Sequence, residues 1–131
     1  MISYRENHPL DPADVARVFK TSGITRPYDD LARIQAMFSH ANLVFSAWDG
    51  ETLVGVSRAL TDFSYCCYLS DLAVDARYQR QGIGEELVRL TRQKIGDQVS
   101  LILLSAPDAM DYYPELGFTL ADNAYLIRRR A

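Results

Sequence analysis

With 131 residues, 48% hydrophobic and 24% charged, the chain has the length for a single domain over 1–131 and no room for a second. Its formal charge of −3 is spread over both signs, with one basic run at Arg128, Arg129 and Arg130, which argues against a nucleic-acid partner. No apolar stretch approaches the ~20 residues of a membrane helix, and Met1 to Tyr4 lacks the order of a signal peptide, so the expectation is a cytoplasmic protein with no membrane partner.

In chain order, Ile2 to Glu6 reads as a short strand. Asp11 to Lys20 reads as a helix that Asp11 caps and Pro12 opens, burying Val15, Val18 and Phe19. After a polar loop, Asp29 to His40 reads as a second helix, with Asp29 as its cap and Leu31, Ile34, Met37 and Phe38 on one side. Asn42 to Trp48 and Thr52 to Leu60 are strands joined by the hairpin signal Asp49-Gly50-Glu51. Tyr65 to Val74 is a third adjacent strand, and it holds both cysteines. Cys66 and Cys67 are neighbours, a spacing that suits neither an ordinary disulfide nor a zinc site, so no metal is expected.

Glu85 to Ile95 has helical spacing, and Val99 to Leu104 is a nearly unbroken apolar strand. Pro107 to Leu116 reads as a last helix ended by Gly117, with Phe118 to Leu120 and Ala124 to Arg130 as closing strands. The fold class is α/β, with a sheet of mixed direction.

The stretch YQRQGIG, residues 78 to 84, lies between a strand and a helix. Glycines there allow close approach to a ligand, and free N–H groups with the helix dipole suit a phosphate; the same turn also serves close packing alone. It is not a Walker A loop, because Gly84 is followed by Glu85 and Glu86. It is not a dinucleotide fingerprint either, because Leu87 stands where a third small residue is needed.

Gln79, Arg80, Gln81, Gly82, Ile83 and Gly84 resemble instead the acyl-CoA-binding segment of the GCN5-related N-acetyltransferase (GNAT) family: Gln or Arg, two residues, Gly, one residue, Gly or Ala. The strand and turn LSDLAVDARYQRQGIG and the later DYYPELGF are also similar to family signatures, in the family's order. The resemblance implies a mostly antiparallel central sheet with splayed fourth and fifth strands. It implies acetyl-CoA as acyl donor, with Arg80, Gln81, Gly82, Ile83 and Gly84 around the pyrophosphate, Gln79 in the same cofactor-binding segment, Leu72, Ala73 and Val74 along the pantetheine arm, and Ser105 against that arm or a water. Ser105 serves equally as a cap for the helix opened by Pro107.

The implied reaction is direct attack of an amine, small or peptide-borne, on the thioester. A backbone N–H near Leu72 would meet the oxyanion, and Tyr113, five residues before Phe118, would be the general acid. Strict alternation puts Tyr68, Ser70, Leu72 and Val74 on one face and Cys67, Leu69, Asp71 and Ala73 on the other. No carboxylate would then share the face of Tyr68, Asp71 would be structural, and Tyr68 and Ser70 would orient substrate or water. Arg26 suits a carboxylate or phosphate on the acceptor; Asp62 and Tyr65 are further candidates. Pro114 threatens the helix that carries Tyr113. Two other readings compete: a non-catalytic acyl-CoA-binding or regulatory module, and a nucleotide-binding domain. An exposed last strand would permit a homodimer.

Overall fold

The computed structural model describes all 131 residues. Five strands form one sheet in sequential order: β1 (Ile2–Glu6), β2 (Leu43–Asp49), β3 (Thr52–Thr61), β4 (Cys66–Val74) and β5 (Ser100–Ile102). The first four pair antiparallel and β5 joins β4 in parallel, so the sheet is mixed and mostly antiparallel as expected. The β2–β3 hairpin turns at Gly50, whose φ of 61° a side chain would strain.

There are four helices: α1 (Pro12–Ser22), α2 (Leu31–His40), α3 (Ile83–Ile95) and the short α4 (Tyr112–Glu115); the first three cover the sheet. Asp11 caps α1 by accepting from the Ala13 amide at 2.9 Å. The cap of α2 is Asp30, not Asp29, through the Arg33 amide at 3.1 Å. That cap starts the helix at Leu31, which is left 46% exposed, and Ile34 alone is fully buried on α2.

Each face of the sheet has its own core. Ile83, Leu87, Val88 and Ile95 of α3 pack on Leu43, Phe45, Ala47, Cys67 and Leu69. Val15, Val18, Phe19 and Ile34 of α1 and α2 pack on Val44, Trp48, Val56 and Ala73 on the opposite side. Sandwiching on both faces explains why β2 is buried without a break from Leu43 to Trp48 rather than at alternate residues.

A bulge in β4 alters the predicted alternation. β3 and β4 pair Thr61 with Cys67, Leu60 with Tyr68 and Ala59 with Leu69, but the next pair is Arg58 with Asp71, so Ser70 is the extra residue. Cys67 and Leu69, and beyond the bulge Leu72 and Val74, all pack on the α3 side. Tyr68, Asp71 and Ala73 fall on the α1–α2 side. Asp71 therefore shares a face with Tyr68, which overturns the expectation that no carboxylate does.

Two expectations near the end of the chain also change. The helix predicted over 107–116 is a 3-10 turn (Pro107–Ala109) followed by the four-residue α4. Pro114 has no N–H to give the Met110 carbonyl and its ring crowds that group, so no helix runs through 110 to 114. The predicted strands over 118–120 and 124–130 are absent, and Leu120, Tyr125, Leu126 and Ile127 are exposed. Strand propensity needs an edge to pair with, and β5 offers three residues.

Candidate active site

β4 and β5 pair only from Cys66–Ser100 to Tyr68–Ile102. Beyond Tyr68, β4 runs on to Val74 with no partner on that side, so the two strands part where the bulge begins. The strand edge from Leu69 to Val74 faces this opening, and α3 starts beyond its far end.

Local contacts fix the turn between β4 and α3. The Asp75 carboxylate, wholly buried, accepts from the Arg77 amide at 3.0 Å and from Arg17 of α1 at 3.2 Å. Burial pushes its pKa up, but the bonds and charge of Arg77, with Arg17, outweigh that and hold it below the usual carboxylate value. The Tyr78 hydroxyl donates to Asp49 at 2.6 Å, which ties the turn to the end of β2. Gln79 donates its side-chain amide to the Val74 carbonyl at 2.9 Å, so that side chain buttresses the turn instead of facing a ligand.

Arg80 then adopts φ 65° and Gly82 φ 82°, and Gly82 opens α3 without a side-chain cap. The first intrahelical bond is donated by Glu86 to Gly82, so the amides of Ile83, Gly84 and Glu85 precede the ladder. Uncapped donors behind left-handed residues, at the positive end of a 13-residue helix, are an arrangement that suits an anion. Space around the Gly82 Cα is open. Glu85 is exposed, and Glu86 is held aside by Arg89 at 2.6 and 2.7 Å. A groove of about 880 Å³ begins at Gly82 and runs between α3 and Glu115 to Thr119.

Tyr112 lies within the DYYPELGF signature, but the sequence does not reveal what it touches. Its hydroxyl lies 2.6 Å from where a Cβ on Gly84 would stand, with Val74 close by. The missing side chain at Gly84 therefore admits a phenol beside the first turn of α3. Tyr113, the next residue, is half-buried and stacks edge-on to Phe118 at 5.6 Å and to Tyr112 at 5.2 Å. The Phe118 amide closes the segment by donating to the Tyr113 carbonyl at 3.2 Å. Burial pushes the Tyr113 phenol above its ordinary value near 10, opposed by the nearby positive charge of Arg26. The group is a protonated donor at neutral pH.

On the α1–α2 side of β4, Arg26 donates Nε to Asp71 Oδ1 at 2.5 Å, Nη2 to the Ser70 carbonyl at 2.6 Å and Nη1 to the Thr25 carbonyl at 2.6 Å. The side chain expected to greet an acceptor anion is committed to the protein. Arg58, which sequence reasoning missed because it sits inside a strand, donates to Asp71 Oδ2 and, at 2.9 Å, to the Ser70 hydroxyl. Ser70 is therefore also engaged, whereas Tyr68 is 39% exposed at the opening. Asp62 closes the β3–β4 turn by accepting from the Ser64, Cys66 and Tyr65 amides, which hold its pKa at about 2. Ser105 donates to the adjacent Ala106 carbonyl at 2.8 Å and does not cap the Pro107 turn.

Residues 15–126 match the family description "acetyltransferase (GNAT) domain". The chain belongs to that family. Among curated relatives of this GNAT domain is GCN5-related N-acetyltransferase 2, chloroplastic, of Arabidopsis thaliana, 37% identical over 68 residues, which is 50% of this chain and 26% of that protein. The chain spans between 26% and 29% of the length of the first three curated relatives it matches. A GNAT-family acetyltransferase from Streptococcus pneumoniae superposes with a TM-score of 0.75 at 26% identity, covering 99% of this chain and 100% of that one. An aminoglycoside N-acetyltransferase in complex with CoA has the same fold, with a TM-score of 0.74 at 15% identity over 100% of this chain and 96% of its own.

Proposed function

We propose that the chain is an acetyl-CoA-dependent N-acetyltransferase that moves an acetyl group to a primary amine, on a small molecule or a peptide, by direct attack on the thioester. The observation that carries this is the uncapped start of α3, with free amides of Ile83, Gly84 and Glu85, at the end of a strand that has parted from its neighbour. Such amides fit a pyrophosphate, and the strand edge at Leu72, Ala73 and Val74 fits the amides of a pantetheine arm. Membership of the family, and the CoA complex of a protein of the same fold, support acetyl-CoA as the donor.

Acetyl-CoA supplies an activated thioester. The chain supplies position and proton handling. Arg80 to Gly84 anchor the pyrophosphate, and the β4 edge aligns the arm so that the thioester lies at the parting of β4 and β5. An amide near Leu72 stabilises the oxyanion that develops as the amine attacks. Tyr113, protonated and half-buried, gives its phenolic proton to the departing thiolate. No free carboxylate stands beside Tyr68, because both oxygens of Asp71 are engaged, so the amine loses its proton to water.

That engagement also favours a second reading, in which the domain binds acyl-CoA without turning it over. Thiol release from acetyl-CoA with a panel of amines separates the two. Release above background that falls in Tyr113→Phe supports the enzyme. Tight coenzyme A binding with no release from any amine, and no effect of Tyr113→Phe, supports the binding module.

A further inference from the structure

The acceptor side of β4 carries a buried ionic group for which acetyl transfer alone gives no reason. Asp71 is wholly buried, yet it lies between two guanidiniums, that of Arg58 from β3 and that of Arg26 from the loop joining α1 and α2. Both arginine side chains are themselves largely covered, 11% and 22% exposed. Buried ion pairs contribute little net stability against an apolar alternative, because taking charges out of water costs about what their attraction returns. What such a group does supply is geometry.

The contacts converge on the bulge. An extra residue in a ladder leaves backbone groups without strand partners. Here the Ser70 carbonyl receives Arg26 Nη2 at 2.6 Å, and the Ser70 hydroxyl receives Arg58 Nη2 at 2.9 Å. Arg58 is steadied from behind by Phe38 of α2, whose ring centre lies 5.6 Å away. Without these bonds, Ser70 could enter the ladder in place of Asp71. A slip of one residue exchanges the two faces of a strand. Either Cys67 and Leu69 would leave the α3 core, or Leu72 and Val74 would turn away from it.

We infer that Arg26, Arg58 and Asp71 form a clamp that fixes the β4 bulge, and with it the backbone that β4 presents where it parts from β5. Arg26 is a positioning residue in this arrangement, not an acceptor-binding one. It reaches across 45 positions of sequence, so the clamp also pins the α1–α2 loop to the sheet beside Tyr113. The catalytic consequence rests on the acetyl-transfer reading; the mechanical one does not.

The test is Arg26→Gln, with Arg26→Lys as a second variant. Lysine keeps the charge but is a point donor that cannot span Asp71 and the Ser70 carbonyl together. In either variant that folds, amide hydrogen exchange at Ser70, Asp71 and Leu72 rises about tenfold or more, while exchange in α3 is unchanged. In thiol release, kcat falls about tenfold or more with coenzyme A affinity within about twofold of wild type, because a misplaced backbone costs rate rather than anchoring. Unaltered exchange at the bulge overturns the clamp. So does a rise in acceptor KM at constant kcat, which would return Arg26 to the acceptor site. Should wild type release no thiol with any amine, the enzyme reading fails while the exchange measurement still decides the clamp.

Discussion

The turn from Asp75 to Gly84 and the segment from Pro107 to Phe118 face each other across the opening, and they are held in different ways. The turn is bolted to α1, β2 and β4 by Asp75, Tyr78 and Gln79, and its path follows from two left-handed residues. The tyrosine segment has two short helical pieces, an aromatic stack and a closing bond at Phe118. In the proposed function, anchoring of the coenzyme would thus rest on rigid local geometry, and proton donation on a side chain placed by packing. Substitutions in the turn should strike affinity, and those in the tyrosine segment should strike rate.

The largest effect is expected from Gly82→Glu. Open space surrounds the position, so the fold loses only the cost of a side chain at positive φ, about 1–2 kcal/mol. Coenzyme A affinity measured by calorimetry falls by about a hundredfold or more, because a carboxylate then occupies the anion seat. Undiminished affinity in a folded variant would remove the assignment of the turn.

Next is Tyr113→Phe, which should lower kcat about a hundredfold and leave coenzyme affinity nearly unchanged. Because burial holds this phenol above its ordinary value near 10, it stays protonated throughout the neutral range. The wild-type rate should therefore climb with pH as the acceptor amine loses its proton, with no decline below pH about 9. A fall beginning near neutrality would point to another acid.

Gly84→Ala gives the smallest effect and blurs the division, since Gly84 belongs to the turn and Tyr112 to the opposite segment. The added methyl would stand 2.6 Å from the Tyr112 hydroxyl. Coenzyme affinity should fall about threefold to tenfold and recover in the double variant Gly84→Ala, Tyr112→Phe, a coupling expected only of groups in contact. Additive effects would mean that Tyr112 swings clear of the seat at no cost.

The same contrast separates what the sequence made legible from what it did not. Caps and turns declare themselves locally: Asp11 before Pro12, Asp49-Gly50, and the run from Gln79 to Gly84. The cap of α2 falls one residue later than the sequence implies, because it is Asp30 whose carboxylate reaches the Arg33 amide. The bulge at Ser70 leaves only a faint mark, the adjacent polar pair Ser70 and Asp71 between apolar Leu69 and Leu72; it arises from pairing with β3 and from arginines distant in sequence. For the same reason Arg26 looked available to a substrate, and Arg58 was overlooked. At the end of the chain, strand formers near Tyr125 and Ile127 implied strands, but propensity does not provide an edge.

The proposed function requires above all that the free amides at the start of α3 seat the coenzyme while β4 aligns its arm. Amide chemical shifts followed during a coenzyme A titration test it most directly. The largest changes are expected at Ile83, Gly84 and Glu85, smaller ones along Leu72, Ala73 and Val74, and little change in the core residues Val15, Val18 and Phe19 of α1. Saturable binding that leaves the amides of Ile83 to Glu85 unmoved would contradict it.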